Sequence, residues 1–247
     1  AARVIAGFLV QNNPLVVSNA CISGVQAIIT GARLIRAGIY DTVVVNGSDI
    51  ISEFVHSGFN SFKSLSNGPC KPFDKTREGL SIGEGSGTVV LSKKTSNVLV
   101  GEGFSSNDAN HISGPSRTGE GLYQAILKVL DKQGNDIGYI SAHGTATPYN
   151  DEMEAIALNR AGLQQVPVNS FKGYWGHTLG AAGIIESVAG IYSLMQGMLF
   201  ATLGFEEMGV TQPVAVIEKT TDLKINAFLK IASGFGGCNA ALLFSTK

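Results

Sequence analysis

Charge is scarce in this sequence: only 15% of its 247 residues are Asp, Glu, Lys or Arg, and the formal net charge is −1. Without a basic excess there is no electrostatic footprint for nucleic acid or for an anionic membrane surface. Cysteine is scarce as well. Cys21, Cys70 and Cys238 are odd in number and far apart, which argues against a disulfide framework, and no CxxC or close Cys/His spacing offers a metal site. Free thiols suit a reducing compartment, with the cytoplasm as the default. No apolar run reaches the roughly 18 residues that a membrane-spanning helix needs. The first residues, Ala1-Ala2-Arg3, contain neither a signal peptide nor an initiating methionine, as expected of a truncated or processed product.

What is present is apolar and rich in glycine, with 44% hydrophobic residues and 31 glycines, the composition of a well-buried protein with many tight turns. Strands are predicted at 15–17, 42–46, 87–91, 139–142, 166–169, 230–233 and 240–244. Helices are predicted at 21–37, 121–132, 151–161 and 180–195. Buried strands alternating with helices indicate a layered α/β architecture. A strand, a reactive residue and a helix follow one another around both Cys21 and His143, an echo of two related halves.

Four stretches carry the residues capable of chemistry. In Ser18-Asn19-Ala20-Cys21-Ile22-Ser23-Gly24 an apolar strand runs into a cysteine that opens a helix. The positive end of the helix dipole and its free N–H groups favour the thiolate, although a buried structural thiol fits the same residues. In Ser141-Ala142-His143-Gly144-Thr145-Ala146-Thr147-Pro148 a histidine ends an apolar strand, where open α/β sheets place their sites; a hydrogen-bonded core histidine is the plain alternative. The stretch from Ser170 to Gly183 sets Lys172 and His177 in a glycine-rich turn before a helix of small residues. No Gly-Lys-Ser/Thr follows, which argues against a phosphate loop. Last, Ser233-Gly234-Phe235-Gly236-Gly237-Cys238 is a glycine-dense turn between strands, either a plain hairpin or a backbone surface close to a ligand. One thiol, two histidines and a lysine form a set suited to acyl transfer and decarboxylation.

These four stretches, in this order, resemble the β-ketoacyl-[acyl-carrier-protein] synthases, the condensing enzymes of fatty-acid and polyketide assembly. Cys70-Lys71-Pro72-Phe73-Asp74, Arg77-Glu78-Gly79, Gly83-Glu84-Gly85-Ser86-Gly87 and Asn107-Asp108-Ala109-Asn110-His111 are similar to further stretches of that family. The resemblance implies an α/β thiolase-like fold, two βαβ-rich halves in five α-β-α-β-α layers, with residues 1–98 carrying Cys21 and 99–247 carrying both histidines. It implies that Cys21 takes the acyl group and that the backbone of Cys21 and Phe235 forms the oxyanion hole, with Phe235 also the gate. His143 and His177 then donate to the malonyl thioester, and Lys172 orients the His177 loop and tunes charge. Thr145 and Thr147 resemble residues that hold the pantetheine arm, and Asp151 and Glu154 resemble structural carboxylates, although an exposed first helical turn fits that pair equally. No metal and no cofactor is implied beyond the phosphopantetheine of an acyl carrier protein partner. A homodimer, or a heterodimer with a related subunit, is implied as the assembly.

The sequence departs from the family pattern in lacking an additional N-terminal stretch with the central strand of the first half-sheet, so that half is expected to be incomplete. Tyr174 and Trp175, beside His177, are expected to narrow the site. A degradative thiolase would want a second reactive cysteine in a Cys-x-Gly turn, and Cys238 is followed by Asn239 and Ala240. A priming synthase would put asparagine where His177 stands. A non-catalytic partner subunit is opposed by the presence of Cys21, His143 and His177 together. A cysteine hydrolase would leave Lys172 unexplained.

Overall fold

The computed structural model describes Gly7, residues 14–133 and residues 136–247. Two strands, β1 (Thr42–Asp49) and β2 (Gly85–Ser92), pair antiparallel as a separate ribbon. The main sheet has five strands, side by side in the order β3 (Val98–Asn107), β9 (Cys238–Thr246), β8 (Ala227–Gly234), β4 (Tyr139–Ser141) and β5 (Val168–Asn169). The pairs β3/β9 and β9/β8 are antiparallel, and β8/β4 and β4/β5 are parallel. A short pair, β6 (Met198–Leu199) with β7 (Thr221–Asp222), stands apart.

Side chains that alternate along β8 and β9 enter two different cores. Leu229, Ile231, Ala241 and Leu243 face α3 (Glu120–Gln133) and α4 (Pro148–Arg160), where Leu122, Ile126, Met153 and Leu158 are buried with them. Phe228, Ala240, Leu242 and Phe244 enter the opposite core, with Ile22, Val25 and Ile28 at α1 (Ser23–Arg36) and Ile184 on α6 (Ala182–Gln196). Period-two alternation with both faces buried is the mark of a sheet sandwiched between helix layers. Beyond α1 and α6 lies the β1–β2 ribbon, so helices, sheet, helices and ribbon follow one another as four layers among the described residues.

The two central helices cross with their backbones in contact. A Cβ on Gly24 would lie 2.8 Å from Gly180 O and from Ile184 N, and one on Gly183 would lie 2.6 Å from Val25 N. Only glycine permits that approach. Gly38, at φ 74°, follows the end of α1 as expected.

The expected strand at 15–17 is not formed. Leu15 and Val16 are 67% and 72% exposed, and no strand among the described residues offers them a ladder. β3 and the short helix α2 (Glu53–Ser61) were not expected. Gly101 and Gly103 and the register shift between Val100 and Gly103 break the apolar alternation of β3. α2 buries none of its residues, so no apolar stripe marks it. Val44 and Val90, on the outer face of the ribbon, are exposed, and no helix among the described residues covers them. Among the described residues no helix is long and apolar enough to cross a membrane.

Candidate active site

Cys21 sits two residues before α1, on a turn that the backbone makes by placing Ala20 at φ 44°. A left-handed alanine is strained. Ser23 Oγ steadies the turn, accepting from Asn19 N at 2.8 Å and donating to Ala20 O at 2.6 Å. The turn brings Cys21 to the wall of a cavity of about 1000 Å³, lined also by Gly24, Ala27, Gly31, Val43 and Phe235.

The helix start does not deliver a resting thiolate. Burial pushes the Cys21 thiol up to about 12, against the charge of Lys172 and the backbone of Phe235, which pull it down. With the residue only 8% exposed, loss of solvation outweighs the dipole of a helix that the cysteine precedes.

His143 follows β4 and Ala142. Its backbone N–H donates to Glu154 Oε1 at 2.7 Å, and that of Gly144 to Glu154 Oε2 at 2.6 Å. Gly144 has φ 44°, and a Cβ there would lie 2.5 Å from Ser170 Cβ. Asp151, one helical turn before Glu154, accepts from Phe73 N at 2.7 Å and Ala146 N at 3.2 Å. Both carboxylates are fully buried, Asp151 on the first turn of α4 and Glu154 on the second, which overturns the exposed-turn alternative. Burial raises both, and the neighbouring Asp151 charge helps push Glu154 to about 7.

His177 is tied to the first half by its backbone: its N–H donates to Ser81 O at 2.7 Å, and Gly83 N donates to its carbonyl at 3.0 Å. The rings of His143 and His177 meet edge-on, centroids 5.1 Å apart. One ligand atom of each ring and the Cys21 sulfur all lie within 4.8 Å of one another. Both ring nitrogens of His177 are buried without a hydrogen-bond partner among the described residues, so this imidazole is free to face a substrate. Burial first, and then the buried ammonium groups, hold both histidines well below their ordinary range. Neutral imidazoles and a thiol could also ligate a soft cation, a possibility that sequence spacing concealed. Two ammonium groups against one carboxylate beside them oppose a dication there.

Lys172 opens the short helix α5 (Lys172–Trp175), yet its side chain does not serve the His177 loop as expected. Its Nζ lies 2.6 Å from His143 O, 3.4 Å from His143 Nδ1 and 2.5 Å from Glu186 Oε1. The lysine is long enough to cross to the neighbouring strand end, and there it meets a carbonyl and a carboxylate. Tyr174 and Trp175 do not narrow the site. Trp175 stacks on Phe171 at 5.1 Å, and the Tyr174 hydroxyl donates to Ala201 O at 3.1 Å, so both rings pack in an aromatic cluster of their own.

Phe235 packs its ring between Phe59 and Phe62, at centroid distances of 5.3 Å to each. Gly234 before it is pressed against Cys21, where a Cβ would lie 3.0 Å from Cys21 N. Thr145 is buried, its hydroxyl 2.9 Å from that of Thr147. Cys70 Sγ donates to Lys172 O at 2.9 Å and Cys238 Sγ to Phe235 O at 3.4 Å; both are buried and neither joins the cluster of Cys21, His143 and His177.

Sequence reasoning missed two charged residues, Lys230 on β8 and Glu186 on α6. Lys230 Nζ lies 2.6 Å from Glu186 Oε2 and donates to Ser141 O at 3.2 Å and Ala142 O at 3.0 Å. The signal was present as a lone charge inside each of two apolar runs, Ala227-Phe228-Leu229-Lys230-Ile231-Ala232 and Gly183-Ile184-Ile185-Glu186-Ser187-Val188.

The family model described as Beta-ketoacyl synthase, N-terminal domain, matches residues 1–97, and that of the C-terminal domain of the same family matches residues 97–206. The 3-oxoacyl-[acyl-carrier-protein] synthase 2 of Vibrio cholerae is 34% identical, over 93% of this chain and 61% of its own length. The ketoacyl synthase alpha subunit of the tetracenomycin polyketide synthase of Streptomyces glaucescens is 32% identical, over 93% and 59%. A solved ketosynthase from Xenorhabdus doucetiae, in complex with its chain length factor, matches with a TM-score of 0.94 and 33% identity, over 100% of this chain and 63% of its own. The chain thus spans about three fifths of the length of the curated relatives it matches, and its fold is the thiolase-like fold of these ketosynthases. With both domain models of one family matching in order across the cysteine, the two histidines and the lysine, this chain belongs to the β-ketoacyl synthases.

Proposed function

We propose that the protein carrying this chain performs a decarboxylative Claisen condensation between an acyl group held on Cys21 and a malonyl unit on an acyl carrier protein. The observation that carries this reading is the convergence of Cys21, His143 and His177 within 4.8 Å. Cys21 attacks the acyl thioester. Its proton passes to the partner-free imidazole of His177 and on to the departing pantetheine thiol, which balances the step and needs no resting thiolate. The backbone N–H groups of Cys21 and Phe235 stabilise the oxyanion, each at about 3 kcal/mol in comparable sites. In the second half-reaction N–H groups of His143 and His177 donate to the malonyl thioester oxygen as carbon dioxide leaves. The enolate then attacks the acyl-Cys21 carbonyl, and the released Cys21 sulfur takes up a proton. Thr145 and Thr147 hold the pantetheine arm, and Phe235 swings out from between Phe59 and Phe62 to admit it.

In this reading residues 1–98 form the half that supplies the nucleophile and 99–247 the half that supplies the histidines. No cofactor is needed beyond the phosphopantetheine of the carrier protein. The partners are an acyl carrier protein and a second synthase subunit, either identical or a chain length factor. The latter is supported by the ketosynthase–chain length factor complexes among the similar structures. A reducing cytoplasm suits a nucleophile that must stay a free thiol. The test is incubation of the full-length protein with acyl- and malonyl-carrier protein. A 3-ketoacyl product is expected; bare thioester hydrolysis would overturn the reading in favour of a hydrolase, and no turnover would overturn it in favour of a partner subunit.

A further inference from the structure

We propose that Lys230 is a positioning residue for His143, clamping the end of β4 through Glu186 and two backbone carbonyls. The proposal rests on the condensing role given to His143 above. Lys230 stands opposite Ser141 in the β8–β4 register, and its ammonium holds Ser141 O and Ala142 O, while Lys172 holds His143 O. Three successive carbonyls are thus gripped by two ammonium groups, and Glu186 ties the two together with one carboxylate oxygen to each.

Every member of this clamp is buried, Lys230 completely. A buried ion pair is weak support for stability, since apolar side chains of similar volume do as well. Lys230 therefore asks for another explanation than packing, and its contacts point to the strand end that carries a catalytic ring. Lys172 and Lys230 share the single carboxylate of Glu186 beside the imidazoles. The groups that face His143 are Lys172 from α5, Lys230 from β8, His177 and Cys21 from the site itself, and Glu154 from α4 beneath its backbone. Burial, then Lys172, the neighbouring His177 and Lys230 hold the His143 ring neutral, and burial, Lys172 and Lys230 do the same for His177. A neutral ring is what both donation and proton acceptance require.

Lys230→Met in the full-length protein tests the clamp, because it leaves Lys172 and Glu186 as a balanced pair. Acylation of Cys21 is expected to stay within about threefold of the unmodified protein, while malonyl decarboxylation falls about tenfold at pH 7. The acid limb of the decarboxylation profile is expected to move up by about one pH unit, because removing a nearby positive charge lets the imidazoles protonate earlier. Histidine titration followed by NMR reads the same shift without turnover. A protein that makes no 3-ketoacyl product therefore sinks the synthase reading and still tests the clamp. Unchanged decarboxylation with an unmoved acid limb would overturn the proposal, and so would equal losses of acylation and decarboxylation with no shift in histidine titration. Should Lys230→Met fail to fold, Lys230→Ala grown and assayed with an alkylammonium ion decides. Recovery by the ammonium ion but not by the alcohol of equal size supports the clamp, and equal recovery or none overturns it.

Discussion

Lys172 grips His143 at two points, its Nζ lying 2.6 Å from the backbone carbonyl and 3.4 Å from the ring Nδ1. An ammonium group has only protons to offer, so the Nδ1 that faces it presents a lone pair and the ring proton sits on Nε2. Lys172 thus selects the tautomer and the rotamer of the ring together, and its charge also favours ionisation of Cys21. Lys172→Met should therefore slow both half-reactions, each by about 10- to 100-fold. Parallel single-turnover assays of acylation and decarboxylation check this, and a defect in one step alone would contradict it.

Cys21→Ala should abolish acyl-enzyme formation while leaving part of the malonyl decarboxylation, because the two imidazoles remain. Intact-mass analysis after exposure to acyl-carrier protein reads the first, and release of carbon dioxide reads the second. Full-stoichiometry acylation of the variant would remove Cys21 from the mechanism.

His143→Ala and His177→Ala should each spare acylation more than condensation, with condensation falling about 100-fold or more. His177→Ala should also slow acylation somewhat, since this ring is the proposed proton carrier. Equal losses of both steps in both variants would count against the division of roles.

Burial raises the thiol of Cys21 to about 12, so alkylation of the free protein should keep accelerating with pH beyond the point at which an ordinary thiol levels off. The rate is expected to climb about tenfold per pH unit between pH 7 and 9.5. Peptide mass mapping should place the label on Cys21, the cysteine at the cavity wall, before Cys70 or Cys238. A plateau near pH 7 would mean a ready thiolate after all.

Burial alone would raise Asp74, but backbone N–H groups of Thr76, Glu206 and Glu207 and the Thr76 hydroxyl donate to it and hold it at about 2. A carboxyl depressed in the folded state contributes stability above its unfolded value, near 4, and loses it as pH falls through the folded value. Asp74→Ala should cost at most about 2 kcal/mol at pH 7 through this term. The difference from the unmodified protein should shrink between pH 4 and 2. Denaturant melts at pH 7, 4 and 2.5 measure it, and a difference that grows on acidification would refute the assignment.

The sequence disclosed strands buried on both faces and a helix rich in apolar residues, because there the apolar runs are long, as in β9, and in β8 and α6 apart from one charge each. It disclosed Cys21, His143, Lys172 and His177 as a set: each alone has a plain structural use, and the three that converge in space were singled out by occurring together in order along the chain. What stayed hidden depends on distance in space. Neither the aim of the Lys172 side chain at His143 nor the Lys230–Glu186 pair has a local pattern, and the burial that protonates Cys21 comes from elements far along the chain. Residues 15–17 show the opposite failure, an apolar run with the composition of a strand and no strand among the described residues to pair with.

The contact between Gly24 and Gly183 has a consequence for anyone who would redesign this protein. Cys21 precedes one of the two crossing helices and His177 the other, and what separates the helices at their crossing is backbone against backbone. The gap across which sulfur and imidazole cooperate is therefore dimensioned by two hydrogen atoms. A methyl group added at either glycine would act as a shim, detuning the chemistry while leaving every reactive group in the sequence untouched.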